Sequence, residues 1–407
     1  MINYIWSFLI AVLFSDGFNW NEMHKKTYFL CWPPTTGNVM KKERITSFEL
    51  IKVFAIVCIC FCHSIPAERI EYHVATSDSW LFLIMLFRQL GSVGNALFMV
   101  ASTWFLIDSD KVNVGKVKQM VADNQFISLI CLVAICVAGY QLPYKTIIKQ
   151  VFPFFFGTLW YITCYVLYYC AHGFVNRSLR GFAVNPLLPL FLILCLDCVF
   201  FIVGGFYFTE FVGFIMIHVF TWYLKEWFAD KSDCLKKNWG KGLLFVGLLC
   251  WIFGAVFFNI VGLKFDFLGD KFYCWNRFYN PFILAMAYGL MILAEVYRKK
   301  FQSNMVNMLS GLSLFIYMFT GNQLLRVYAD NSLYDYVVEI FGSSMFVCAL
   351  FVIFFSVSKI IMGVGISFLY KKSLGRLTQT VSRKECDYIS RRIENLLEKK
   401  RKDEGKV

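Results

Sequence analysis

Charged residues are scarce in this chain. Asp, Glu, Lys and Arg make up 16% of the 407 residues, whereas hydrophobic residues make up 58% and aromatic residues 19%. A soluble domain usually carries about 25% charged residues. The composition therefore excludes an ordinary soluble protein and predicts an all-α, polytopic membrane protein.

Long apolar runs recur along the sequence. A helix needs about 20 mainly apolar residues to cross ~30 Å of hydrocarbon. The runs predict a bundle of about ten transmembrane helices, at 48–66, 81–107, 124–141, 151–172, 187–204, 206–224, 242–262, 278–297, 305–325 and 342–369. Nine spans are the alternative, because only Gly204, Gly205 and Glu210 interrupt a nearly continuous apolar run between the fifth and sixth spans.

The net charge of +13 follows the predicted topology. Loops that a cytoplasmic N-terminus places inside hold more Lys and Arg than the outer loops do, and the tail from Lys371 onward is also basic. The positive-inside rule then predicts a protein of the cell membrane with both termini in the cytoplasm. With the charge explained in this way, no nucleic-acid partner is expected.

Three regions are predicted. Residues 1–40 are an atypical extension, because their apolar piece is too short to span and lacks the basic lead-in of a signal peptide. Met40 is the expected start of translation, which a mass measurement of the N-terminus tests. Residues 41–370 form the membrane domain, and residues 371–407 form a basic cytoplasmic tail, predicted to be an amphipathic helix that contacts membrane lipids.

The cysteines do not follow the spacing of a metal site. Most of the 15 cysteines lie in predicted spans, where they serve as small apolar packing residues. Cys58, Cys60, Cys62 and His63 are spaced so that a helix scatters their side chains around its axis. No metal and no permanently bound cofactor are expected.

Two ionisable residues occupy the first predicted span. Lys52 and His63 are eleven positions apart, which at about 100° per residue places both on one helix face, ~16 Å apart along the axis. Ionisable groups are costly in lipid, so this face is expected to point into the bundle and to serve a function. With Ser47 as the predicted N-cap, Lys52 lies near the inner boundary and His63 near the outer one.

Each of the two residues has a functional and a structural interpretation. Neutral imidazole suits a general base near pH 7, but His63 also fits an interfacial histidine bonded to a backbone carbonyl. Lys52 fits either an anion-binding role or an ion pair with Glu49, three residues earlier. A general base acts over about 3 Å, so the two residues are expected to do separate work.

Several segments, in order, resemble the membrane acyltransferase family 3. The family's first mark is an Arg or Lys and a His with ten residues between them, as in Lys52 and His63. Similar segments follow at 90–98, 102–106, 159–165, 308–310 with Tyr317, and 322–326. Two positions depart from the family's pattern: Ser92 stands where it has Arg, and Thr320 where it has His. Arg88, about one turn before Ser92, is a candidate replacement.

The resemblance implies transfer of an acyl group, usually acetyl, from cytoplasmic acyl-CoA to a hydroxyl of a cell-surface glycan or its lipid-linked precursor. It implies catalytic roles for His63, as general base, and for Lys52, as a donor-binding or His-tuning partner. The predicted substrate-binding residues are Glu49, Trp160, Tyr161, Asn322 and Arg326. The alternative is a transporter or exporter of a glycan or lipid intermediate, with the polar stripe as its path.

Overall fold

The computed structural model describes residues 44–66, 69–70, 75–180, 209–298 and 302–373. The regular structure of these residues is helical throughout. The predicted span 187–204, the extension 1–40 and the tail beyond residue 373 lie outside the described residues.

The elements follow one another in this order: α1 Thr46–His63, α2 Ser79–Leu106, α3 Val114–Val137, α4 Tyr144–Val151, α5 Pro153–Phe156, α6 Trp160–Arg180, α7 Thr209–Phe228, α8 Asp233–Gly262, α9 Asp266–Gly269, α10 Lys271–Trp275, α11 Pro281–Val296, α12 Asn304–Ser310, α13 Ser313–Thr320, the π-helix π1 Leu325–Asp330, α14 Asn331–Phe341 and α15 Met345–Ser373.

Among the described residues, five helices are long and apolar enough to cross a membrane, namely α1, α2, α3, α8 and α15. The apolar helix α11 is shorter. Large apolar side chains face outward from these helices, and Phe253 of α8 is 71% exposed. Such surfaces are compatible with lipid and not with water, which confirms an all-α membrane bundle. The number of ten spans stays a prediction.

Two predicted spans are interrupted in the structure. The run 151–172 contains Pro153, which lacks a backbone N–H, and Gly157, whose φ of +60° is a left-handed conformation. Regular α-helix therefore resumes only at α6. The run 305–325 divides into α12 and α13 at Gly311 and is followed by π1.

Glycines allow α8 and α11 to pack backbone to backbone. A Cβ atom on Gly247 would lie 2.6 Å from the carbonyl oxygen of Phe282, and one on Gly289 would lie 2.7 Å from that of Gly240. Small residues are the usual means of close helix contact in membranes, where burial of apolar surface adds little. The two helices thus form a rigid wall beside the site.

The polar face of α1 points into the protein. Leu50 and Phe54 are exposed, and at about 100° per residue Lys52 and His63 lie on the opposite side of the helix. On its protein-facing sides α1 contacts α2, α11, α12, α13 and α15. A Cβ atom on Gly94 of α2 would lie 2.6 Å from the carbonyl oxygen of Ala55. The close packing encloses the predicted stripe within the bundle.

Candidate functional site

The start of α1 is fixed by contacts with neighbouring helices and not by the predicted cap. The N-cap position is Ile45, which has no capping side chain, so the prediction of Ser47 as N-cap is wrong. Ser47 lies within the first turn, and its hydroxyl donates a 2.8 Å hydrogen bond to the carbonyl oxygen of Ala294 in α11. The helix is therefore anchored at its N-terminal end by tertiary hydrogen bonding.

The other end of α1 presents the His63 imidazole to α13. Nδ1 of His63 lies 3.3 Å from Oγ1 of Thr320, and the imidazole centroid lies 5.6 Å from that of the Tyr317 ring. A Cβ atom on Gly321 would lie 2.8 Å from Cε1 of His63, so the glycine leaves room for the ring edge. The ring is half-buried. Nε2 has no hydrogen-bond partner among the residues that the structure describes.

A buried ion pair holds the main chain at His63. Nζ of Lys359 in α15 donates a 3.0 Å hydrogen bond to the carbonyl oxygen of His63 and forms a salt bridge with Asp330 at the end of π1. Lys359 is 2% exposed and Asp330 3% exposed. A charge pair this deeply buried is costly to desolvate and depends on good hydrogen bonding for compensation. The ion pair joins α1, π1 and α15 next to the main chain of His63.

Arg326 lies on the same π-helix, one turn before Asp330. Arg326 and Lys359 are the two cationic groups whose fields act on the imidazole. Nε of Arg326 is buried without a hydrogen-bond partner among the described residues. A buried guanidinium N–H without an acceptor is unusual and is suited to an incoming anionic or carbonyl oxygen. π-Helical turns also occur frequently at functional sites.

The N-terminal half of the polar face of α1 carries an ion pair. Nζ of Lys52 lies 3.1 Å from Oε1 of Glu49, and the other carboxylate oxygen of Glu49 accepts a hydrogen bond from the Ser310 hydroxyl in α12. The predicted Lys52–Glu49 pair is thus present. Glu49, Lys52 and His63 together form a polar seam along α1. Glu49 contacts α12 and His63 contacts α13, so the two halves of the broken segment 304–320 meet the two ends of this seam.

Of the two predicted aromatic residues, one lies near His63 and the other does not. Tyr161 is buried, its ring centroid lies 5.6 Å from that of Tyr317, and its hydroxyl has no hydrogen-bond partner among the described residues. Trp160 is 39% exposed and packs beside Phe278. The structure therefore brings Tyr161, but not Trp160, close to the aromatic surroundings of His63.

Asn322 has a structural use. Its Nδ2 donates to Oε1 of Gln150 at 3.3 Å, and its Oδ1 accepts from the backbone N–H of Leu324 at 3.0 Å. The side chain thus fixes the turn that leads into π1. Its role in substrate binding stays a prediction. The candidate replacement Arg88 is exposed, with its guanidinium 5.8 Å from the Tyr273 ring centroid.

A second buried histidine shows what a structural imidazole looks like in this fold. Nδ1 of His218 lies 2.5 Å from the Tyr168 hydroxyl, and Nε2 lies 2.7 Å from Oδ1 of Asn176. Both nitrogens of His218 are engaged between α6 and α7, and the residue is fully buried. His63 differs from His218 because one of its nitrogens has no described partner. It differs from the fully buried His172, whose Nε2 also lacks a described partner, because its ring is partly exposed.

The sequence interpretation missed Lys359 and its partner Asp330. A single lysine inside the apolar run 342–369 was the available signal, since an ionisable residue within a span marks a functional position. The identity of its partner had no comparable signal, because Asp330 reaches Lys359 only through the packing of π1 on α15. Among the described residues, no group of three or more His, Cys, Asp or Glu is arranged to hold a metal ion.

Comparison with known proteins identifies a family. Residues 45–363 match the family described as an acyltransferase domain, and this range extends from the start of α1 to beyond Lys359. No curated protein and no solved structure matches the chain. The family match covers most of the sequence and includes each residue of the seam. The chain is an integral membrane acyltransferase and belongs to the acyltransferase 3 family.

Proposed function

We propose that the protein transfers an acyl group, acetyl in the simplest case, from acyl-CoA to a hydroxyl of a cell-surface glycan or of its lipid-linked precursor. Acyl transfer follows from the family; the thioester donor and the glycan acceptor are the proposal. The observation that supports it best is the free Nε2 of His63, on a half-buried ring whose Nδ1 contacts Thr320.

In the proposed reaction His63 acts as general base. The acceptor oxygen attacks the thioester carbon while Nε2 takes the hydroxyl proton. A C–O bond forms, the C–S bond breaks, and the proton passes to the sulfur, so the products are an ester and the CoA thiol. The guanidinium of Arg326, whose positive charge acts on the imidazole and whose buried Nε has no partner among the described residues, would stabilise the negative charge that develops on the carbonyl oxygen.

Lys52 and Glu49 serve the donor side in this proposal. CoA carries phosphate groups that do not enter hydrocarbon, so in this proposal the donor approaches from the cytoplasmic side, where we expect both termini and the basic loops. The Lys52 side chain is 27% exposed although it is paired with Glu49. An ammonium group has three donors, so Lys52 retains hydrogen-bonding capacity for a phosphate or an amide of the donor.

The test is acyl transfer by the purified protein in lipid vesicles. Radiolabelled acetyl-CoA and cell-envelope glycan are supplied, and label in an alkali-labile ester is counted. We expect transfer by the wild type, none by His63→Ala, and none by His63→Gln, which keeps an amide able to contact Thr320 but lacks a base. Thermal unfolding in detergent checks that both variants fold.

Two outcomes would overturn the proposal. One is transfer by His63→Ala at the rate of the wild type. The other is movement of labelled glycan across the vesicle membrane with no requirement for acyl-CoA, which would support the transporter alternative.

A further inference from the structure

Thr320 is the residue that contacts a ring nitrogen of His63. Its side chain is fully buried at the end of α13, and Oγ1 lies 3.3 Å from Nδ1. Other described contacts reach the ring face, the ring edge or the main chain, through Tyr317, Gly321 and Lys359 respectively. These contacts fix the position of the imidazole, but none of them distinguishes one ring nitrogen from the other.

The hydroxyl of Thr320 has one hydrogen to donate and two lone pairs with which to accept. Within α13 its Oγ1 lies 3.5 Å from the carbonyl oxygen of Tyr317, three residues earlier, a common acceptor for a helical threonine. The Cys60 thiol approaches Oγ1 to 3.9 Å as a donor. With its hydrogen directed to Tyr317, Oγ1 can accept from Nδ1–H of His63.

We propose that Thr320 is a positioning residue that holds His63 in the tautomer with the proton on Nδ1, so that Nε2 carries the lone pair used as the base. The inference rests on the proposed function, because a tautomer matters only if the imidazole takes a proton. The hydrogen bond made by one ring nitrogen decides which nitrogen is free, as in other catalytic histidines.

The arrangement also fits the step that follows. When Nε2 takes the proton of the acceptor hydroxyl, the ring becomes a cation with a proton on each nitrogen. Nδ1–H keeps the same acceptor, Oγ1 of Thr320, so the ring does not have to rotate. A hydroxyl acceptor adds no negative charge beside Arg326 and Lys359, whose cations already act on this ring.

The first experiment separates the hydroxyl from the shape of the side chain. Thr320→Val removes Oγ1 and keeps the volume, and Thr320→Ser restores the hydroxyl. A neutral hydrogen bond biases such an equilibrium by about tenfold. We expect kcat to fall severalfold in Thr320→Val, by about tenfold at most, with the KM of each substrate within about twofold, and to recover in Thr320→Ser.

Thr103→Val is the matched control. Thr103 is equally buried, and its hydroxyl donates to Val100 three residues earlier at 2.9 Å, but its other contact is Thr221 and not His63. Its kcat should remain within about twofold of the wild type. Unchanged kcat in Thr320→Val, or no recovery in Thr320→Ser, would refute the inference.

The second experiment reads the tautomer without any reaction. The chain contains five histidines, so labelling the imidazole nitrogens with ¹⁵N gives few signals, and His63→Gln identifies those of His63. We expect a protonated Nδ1 and an unprotonated Nε2 in the wild type, and a mixture of tautomers in Thr320→Val. A wild-type signal with the proton on Nε2 would overturn the inference even if acyl transfer is observed. Conversely, absence of acyl transfer with the expected tautomer would count against the proposed function alone.

Discussion

Lys359, far along the sequence from His63, donates a 3.0 Å hydrogen bond from its Nζ to the main-chain carbonyl oxygen of His63. The carbonyl belongs to the last residue of α1, where helical carbonyls lack an intrahelical partner. The same ammonium is paired with Asp330. The position of the candidate base therefore depends on an ion pair outside its own helix.

Removing one member of that pair should destabilise the protein more than removing both. Lys359→Met leaves the buried Asp330 carboxylate without its partner, which is expected to lower the free energy of unfolding by about 3–5 kcal/mol. Lys359→Met combined with Asp330→Asn should recover most of the loss. Thermal unfolding in detergent measures both, and equal stability of the single and double variants would contradict the prediction.

Gly321→Ala should impair catalysis, and thermal unfolding in detergent measures its separate effect on folding. The new Cβ atom would lie 2.8 Å from Cε1 of His63 and displace the imidazole. A displacement of about 1 Å commonly costs on the order of 100-fold in rate. Gly365→Ala is the control, because no atom lies within 4 Å of its Cβ position. Rates of acetyl transfer for the two variants should differ; similar rates would mean that the ring tolerates the methyl group.

Arg326→Gln should lower kcat by about 100-fold if the guanidinium stabilises the developing charge. Arg326→Lys keeps the charge but not the planar donor geometry and should recover part of the activity. Arg69→Gln serves as a control, because Arg69 donates to both carboxylate oxygens of Asp335 on the exposed surface. A change in the KM of the acceptor without a change in kcat would assign Arg326 to binding instead.

Lys52→Met should weaken donor binding. The loss of one charge-assisted hydrogen bond predicts a rise of about tenfold in the KM of acetyl-CoA, with a smaller change in kcat. Lys225→Met is a matched control, since Lys225 has 30% side-chain exposure against 27% for Lys52 and pairs with Asp108 instead of Glu49. An equal rise in KM for both variants would indicate a general effect of positive charge.

The sequence predicted α1 well because its information is local. Apolar length defines the helix, and the spacing of Lys52 and His63 defines a face that the exposed Leu50 and Phe54 confirm from the other side. The Lys52–Glu49 pair is equally local. Hydropathy alone, in contrast, predicted continuous spans at 151–172 and 305–325, because averaging over a window does not register local breaks. The first run is broken at Pro153 and the left-handed Gly157, and the second at Gly311, whose φ is −64°.

The parts that sequence reasoning could not reach depend on packing between distant segments. Asp330 meets Lys359, and Ser310 meets Glu49, only after α12, π1 and α15 are assembled around α1. The contact of Asn322 with Gln150 likewise joins segments that are far apart in the sequence. Thr320 stood out from the sequence as a departure from the family's pattern, but its contact with the imidazole required the fold.

The division of segment 304–320 into two short helices has a consequence for how this enzyme can evolve. A single rigid rod would transmit any change at one of its ends to the other. Two rods that meet at Gly311 can be adjusted one at a time, so the surroundings of Glu49 and Lys52 can be altered while the imidazole of His63 keeps its alignment.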